Sequence, residues 1–382
     1  MGWWALAGGG VGAFALVAGL GLALPTDLPP LRPDELASIG SLGPWPPPAT
    51  RDASNRVSGR PEAAALGEAL FHTTRLSTVG GLRCASCHAP WRQFTDGRAR
   101  ALGAEAGARN TPSLLNVRLQ HWFGWDGAND SLWSQSIRPM LDGREMRADA
   151  AHVARALRDD ETLRRLYAQA FGHAPPADDE RALVDAGKAL AAYQETLVSD
   201  RTPFDAFRDA LVRGDGAEAG RYPVAAQRGV RLFIGRGQCI ECHAGSNFSD
   251  GEFHSSGIAS KLHDGASDRG RALGLQKLQA SAYARSGRFD DEINAAPRSA
   301  SQPPVAGAFR TPGLREVSAT APYMHDGSIA NLCDALQPHA AIEGRPVPAL
   351  TLAERRDLVA FLRTLSAPKQ AVRADEDAMV CR

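Results

Sequence analysis

The pentapeptide Cys-x-x-Cys-His occurs twice in this chain, as Cys84-Ala85-Ser86-Cys87-His88 and as Cys239-Ile240-Glu241-Cys242-His243. It is the attachment signature of c-type haem, in which each cysteine pair adds to the two vinyl groups of one haem and the adjacent histidine ligates the iron. The competing reading is a Cys₄ zinc site built from two CxxC knuckles. Three features oppose it. Zinc knuckles rarely place His directly after both pairs, and these pairs lie much farther apart than those of a zinc ribbon. Each pair also follows a similar Gly-x-x-Leu-Phe segment, Gly67–Phe71 and Gly229–Phe233. That is a divergent duplication of one haem-binding unit. Two covalently held irons are therefore expected.

Of the six cysteines, haem uses four; Cys333 and Cys381 remain, and either a disulfide or free thiols is compatible with the sequence. With 43 basic and 43 acidic residues, the formal net charge is zero. No long basic block is present, so nucleic-acid binding has no electrostatic support. Residues 3–24 carry no charge and are rich in Ala, Gly, Leu and Val. The run is long enough to span a bilayer. An uncleaved anchor is favoured over a cleaved signal, because a basic start and a clear Ala-x-Ala site are missing. Either places the remaining chain in the periplasm, attached to the inner membrane if uncleaved.

The 382 residues divide into an anchor or signal (1–26), a Pro-rich extended linker (27–59), two haem domains (60–200 and 201–368) and a tail (369–382). Apolar periodicity predicts helices from about Pro61, over 149–171, 179–199 and 223–235, and over 352–365. Residues 89–147 and 244–330 read as long loop regions, and strand-like alternation is scarce. The fold class is mainly α: two class I cytochrome-c-like domains with long loops, after an N-terminal apolar helix.

Beyond the haem motifs, the chain carries Arg109-Asn110-Thr111-Pro112, Trp125-Asp126-Gly127, Glu145-Met146, Phe309-Arg310-Thr311-Pro312 and Ala321-Pro322-Tyr323-Met324-His325-Asp326-Gly327. With these, residues 60–367 resemble the bacterial di-haem cytochrome c peroxidase and MauG superfamily. The resemblance implies a peroxidase with two c-type haems and one calcium ion. It assigns calcium to the Asn110 side chain and the carbonyls of Thr320 and Pro322, and an inter-haem position to Trp125. It makes Glu145, helped by Gln135, the acid–base group that moves the proton of hydrogen peroxide.

One departure separates this chain from reductively activated members: no His or Met lies between His88 and Asn110 to plug the first iron. A five-coordinate first haem is expected, as in the MauG-like branch, with a protein partner oxidised by long-range electron transfer. The resemblance makes His243 the proximal ligand of the second haem and His339 its sixth ligand, with Met324 and His254 as alternatives. His325 is expected to be structural. Two other readings stay open: a peroxidase fed by a small cytochrome or cupredoxin, and a non-catalytic electron carrier, against which Gln135 and Glu145 argue.

Overall fold

The computed structural model describes residues 22, 24, 26, 28–292, 295–296, 306–337, 341–342, 345–368 and 381. Most of the expected anchor (3–21 and 23), His339 and most of the 369–382 tail lie outside them. Among the described residues no helix is long and apolar enough to cross a membrane.

The chain is mainly helical. In order come α1 (Pro33–Ser41), α2 (Pro61–His72), α3 (Cys84–Cys87), α4 (Leu132–Leu141), α5 (Ala150–Asp159), α6 (Glu161–Phe171) and α7 (Asp179–Gln194). They are followed by α8 (Pro203–Arg213), α9 (Gly216–Ala219), α10 (Val224–Ile234), α11 (Arg271–Gln279), α12 (Leu332–Ala335) and α13 (Leu352–Arg363). Strands are confined to two short antiparallel pairs: β1 (Phe253–His254) with β2 (Phe309–Arg310), and β3 (Ala341–Ile342) with β4 (Arg345–Pro346).

Two apolar cores form. The first gathers α2 and α4–α7 around Leu66, Phe71, Trp133 and Tyr167. The second gathers α1, α8, α10 and α13 around Phe204, Phe233, Phe248 and Phe361. The duplicated Gly-x-x-Leu-Phe segment explains why each core has the helix pair it has. A Cβ on Gly67 of α2 would stand 2.1 Å from the carbonyl oxygen of Ala189 in α7. A Cβ on Gly229 of α10 would stand at the same 2.1 Å from that of Asp357 in α13. Both helix crossings are possible only because the glycine has no side chain.

The structure corrects several expectations. Residues 27–59 are not a free extended linker: Pro33 opens α1, and Leu31, Ile39 and Leu42 are buried in the second core. Arg208 of α8 clamps that helix by donating to the Gly40 carbonyl at 2.7 Å. An apolar stripe too short to stand out among prolines is stable here because α8 and α10 cover it. The 149–171 helix is two helices, broken at Asp160, whose carboxylate caps Leu163 N at 3.0 Å. A side chain that caps a new helix competes with continuing the old one. The last expected turn of 179–199 is absent, since α7 ends at Gln194. The loop regions also contain α4 and α11, and α8 was not anticipated from periodicity. Cys333 and Cys381 are joined as a disulfide.

Candidate active site

Each CxxCH motif forms one tight turn. His88 N donates to Cys84 O at 2.9 Å, and His243 N donates to Cys239 O at 2.9 Å. The imidazoles are oriented in the same way: Nδ1 of His88 meets the Phe94 carbonyl at 3.0 Å, and Nδ1 of His243 meets the Phe248 carbonyl at 3.0 Å. A ring N–H given to a carbonyl fixes the tautomer and makes Nε2 the nitrogen suited to a metal. Burial holds His88 below the ordinary imidazole range, so the ring is neutral and able to ligate.

The four motif cysteines are unpaired. Burial pushes the Cys84 and Cys239 thiols up to about 12 and Cys87 up to about 11. Zinc needs thiolates drawn together into one tetrahedral site. Among the described residues the four sulfurs do not converge; the one His, Cys and acid group with metal-ligand spacing is Cys242, Asp250 and His254. Neutral thiols beside an oriented imidazole fit haem attachment. A cavity of about 480 Å³ opens against Cys239, Cys242 and His243, with Trp125, Met324 and Phe309 in its wall. Its position supplies room for a porphyrin beside the second motif.

Glu145 belongs to the first motif. Its charge acts on Cys84, Cys87 and His88, whereas the charge acting on Cys239 is that of its pair Cys242. The 101–107 loop crosses behind it, with Ala104 N donating to Glu145 O at 2.9 Å. Gln135 lies on α4, where Asn129 Nδ2 donates to its Oε1 at 2.8 Å. Gln135 and Glu145 are not hydrogen-bonded to each other among the described contacts. The group that reaches Glu145 is Arg138, one turn beyond Gln135, whose Nη2 donates to Glu145 Oε1 at 2.6 Å. The sequence reading passed over Arg138. Its position three residues after Gln135 on one helix face was the available signal.

Trp125 sits at the seam between the two halves. Its indole N–H donates to Asn110 O at 2.9 Å, and its own carbonyl accepts from Arg310 N at 2.9 Å. Asn110 N in turn donates to His325 O at 2.9 Å. Asn110, Thr320 and Pro322, the three residues expected to bind calcium, all line the cavity. Calcium takes oxygen ligands, and an amide oxygen with two carbonyls suits it. The side chain of Asn110 is also tied by Nδ2 to Arg98 O at 2.8 Å.

An ion network missed by the sequence reading locks the seam. Arg109 reaches Asp126 at 2.7 Å and Asp268 at 2.8 Å. Burial would raise both carboxyls, but the Arg109 guanidinium overrides it and holds them below the usual range. His325 stacks on Phe309 at 3.5 Å and its Nε2 meets Ser260 Oγ at 2.7 Å, as a structural residue would. His254 meets Asp250 at 2.7 Å and Met324 lines the cavity.

Comparisons with known proteins bear on the family. The family model for di-haem cytochrome c peroxidase matches residues 61–213. The methylamine utilization protein MauG of Methylorubrum extorquens is 36% identical over 323 residues, covering 82% of this chain and 80% of the relative. The cytochrome-c peroxidase IdrP1 of Denitromonas iodatirespirans is 32% identical over 358 residues, covering 89% and 90%. The crystal structure of the di-haem peroxidase BthA from Burkholderia thailandensis superposes with a TM-score of 0.64 at 25% identity, covering 85% of this chain and 94% of that one. The two oriented CxxCH turns, the Glu145 charge acting on the first and the shared fold lead to one assignment: this chain belongs to the di-haem cytochrome c peroxidase and MauG family, an oxidoreductase with two c-type haems and peroxidase activity.

Proposed function

We propose that the chain is a periplasmic, MauG-like peroxidase that takes up hydrogen peroxide at the His88 haem and oxidises a partner protein by long-range electron transfer. The observation that carries this reading is the asymmetry of the two motifs: Glu145, held by Arg138, acts on the first, while the second faces the cavity walled by Trp125 and Met324. Cys84, Cys87 and His88 hold one haem, and Cys239, Cys242 and His243 the other. Bound there, haem would supply the redox chemistry that cleaves the O–O bond of peroxide.

The remaining work falls to the chain. Glu145 accepts the peroxide proton and returns it to the departing oxygen, which leaves as water. Arg138 holds Glu145 in place through its 2.6 Å hydrogen bond. Gln135, fixed by Asn129, orients peroxide. Trp125 carries electrons between the halves, each of which grips it through one hydrogen bond. The lack of His or Met between His88 and Asn110 supports a first haem that needs no prior reduction. Calcium at Asn110, Thr320 and Pro322 would stiffen the same seam, and both halves are read as class I cytochrome folds. His339, outside the described residues, would be the sixth ligand of the second haem, with Met324 as the rival.

The similarity to a protein named cytochrome-c peroxidase supports a second reading, in which a small cytochrome or cupredoxin is the donor. One experiment separates them. The holoenzyme, peroxide and each candidate partner are mixed, and partner modification at Trp or Tyr is followed by mass spectrometry beside reoxidation of reduced donor. Modified partner supports the MauG-like reading; donor turnover without modification supports the second. Neither, with no optical change on adding peroxide, returns the chain to an electron carrier.

A further inference from the structure

The two haem turns are built alike, yet only the first carries an exposed indole. Both run on in the same way, as Phe94-Thr95-Asp96-Gly97 and Phe248-Ser249-Asp250-Gly251. The carbonyls of Phe94 and Phe248 orient His88 and His243 at the same 3.0 Å. Between histidine and phenylalanine the first copy has Ala89-Pro90-Trp91-Arg92-Gln93, and the second only Ala244-Gly245-Ser246-Asn247. A turn of this kind therefore needs neither an indole nor a guanidinium to hold its imidazole.

Trp91 is nonetheless 78% exposed, whereas Trp45, Trp122 and Trp133 are 2%, 2% and 0% exposed, as tryptophan usually is. It lies on one 3₁₀ turn, Pro90–Arg92, three residues past His88, so the two Cα atoms are at most about 11 Å apart. The turn is pinned: Arg92 N donates to Ala89 O at 2.9 Å, and Ala89 N to Thr95 O at 3.2 Å. Leu102, whose carbonyl lies 3.8 Å from Cys87 Sγ, is a further exposed apolar residue beside the first motif.

Charge divides the two copies in the same sense. The stretch from Arg83 to Leu102 holds four arginines, Arg83, Arg92, Arg98 and Arg100, and one acid, Asp96. All four arginines are exposed, and none is ion-paired among the described residues. The Asp96 carboxylate accepts from Arg98 N at 2.9 Å and Thr111 Oγ1 at 3.0 Å. Acids that approach from outside the stretch are paired, Glu105 with Arg144 and Arg147, and Glu145 with Arg138. The matching stretch of the second copy, Gln238 to Gly257, holds Glu241, Asp250 and Glu252 and no Lys or Arg. Arg236, just before it, is paired with Glu354 at 2.6 Å. With His neutral, four arginines against one acid give +3, and three acids alone give −3, on a chain whose total is zero.

We propose that the Trp91 face of the first motif receives an acidic electron-donating protein, and that the Trp91 indole passes its electrons to the first centre. The inference deepens the reading above, in which peroxide oxidises that centre and a partner supplies electrons. The charges of 83–102 draw an acidic protein in, and those of 238–257 turn it away. Trp and Arg are also the residues enriched where proteins meet. An electron leaves the indole for the oxidised centre and is replaced by one from the donor. Two such transfers, with two protons from solvent, reduce one hydrogen peroxide to two waters. An anionic bilayer would meet the same arginines but has no electrons to give.

The test uses the full-length holoprotein, hydrogen peroxide and a reduced acidic cupredoxin. Donor oxidation should fall about tenfold from low to high ionic strength. Arg92→Glu combined with Arg98→Glu should lower kcat/KM for this donor about tenfold. Trp91→Phe should lower kcat about tenfold, because phenylalanine keeps an apolar surface but not an oxidisable ring. Val212→Ser, at a residue of α8 that is 57% exposed, should change neither. A rate blind to salt and to charge reversal overturns the docking face, and wild-type kcat in Trp91→Phe overturns the relay. Phosphatidylglycerol vesicles that bind wild type but not the charge-reversed protein, with donor oxidation equal in both, would overturn it in favour of a membrane. The salt dependence of wild type decides if a variant does not fold. If peroxide leaves the haem absorbance of wild type unaltered, the peroxide reading fails separately. Calorimetric binding of the cupredoxin to wild type and charge-reversed protein then still decides the docking face.

Discussion

The indole N–H of Trp125 donates to the main-chain carbonyl of Asn110 at 2.9 Å. The residue proposed to carry electrons thus hangs from a residue proposed to bind calcium. Asn110 N donates in turn to His325 O, and the Trp125 carbonyl accepts from Arg310 N, so Trp125 is held from both halves. An ion bound at Asn110 would act on the residue from which the indole hangs.

Removing calcium should therefore loosen Trp125. Chelation of the holoprotein is expected to slow the response of the second haem to peroxide by about tenfold or more, with both haems still attached. Adding calcium back should restore it. Stopped-flow absorbance at the two haems measures this, and a chelated protein with unaltered kinetics would count against the site.

Glu145→Gln should cut the rate of peroxide reaction by roughly 10²–10⁴, the usual worth of a placed acid–base group. Arg138→Ala should cost less, about tenfold, because it removes the partner at 2.6 Å but not the carboxylate. Single-turnover kinetics at fixed pH distinguish the two. Equal losses would mean that Arg138 has a role of its own in the chemistry.

Gly67→Ala and Gly229→Ala should each destabilise the fold by about 3 kcal/mol, the scale of overpacking a tight crossing. Each added Cβ would stand 2.1 Å from a carbonyl oxygen of the facing helix. Thermal melts of the two variants test the equivalence of the duplicated crossings. Wild-type melting of either variant would show that its helix pair can shift apart without loss.

Glu316 gives the fold a pH dependence outside the active site. It is 1% exposed and accepts from Ala367 N at 3.1 Å. Burial pushes its carboxyl up to about 7. Since the folded value lies above the unfolded one, the folded state holds the proton more tightly, and stability falls as pH rises from about 4.5 toward 7. Glu316→Gln should flatten that slope and stabilise the protein at pH 8 by about 2 kcal/mol. Denaturant melts across this range check it; an unchanged slope would place the titration elsewhere.

Cys333→Ser should lower stability by about 3 kcal/mol, because the Cys333–Cys381 bond closes a loop with a sequence separation of 48 residues. Denaturant melts with and without reductant measure it. A wild-type protein insensitive to reductant would show that the closed loop adds nothing to stability.

What was legible in the sequence was local. The haem turns need only five consecutive residues, and α2 and α10 announce themselves by apolar periodicity and by their glycines. The break at Asp160 was not legible, since 149–171 keeps one apolar stripe through it and only the capping geometry ends the helix. Nor was α1, whose short stripe counts only once α8 and α10 cover it.

By itself the sequence determined the cofactor chemistry: two thiol pairs, each followed by an imidazole, admit covalent haem and, spaced as they are, little else. It also marked Glu145, Gln135, Trp125 and Asn110 as candidates. The tertiary structure alone decided which charges stand beside which rings. Arg138 reaches Glu145, Arg109 reaches Asp268, and Arg271 stacks on Trp122. Thiol chemistry is written in bonded neighbours, whereas an electrostatic field depends on distance and burial, which arise only when segments remote in the chain are packed together.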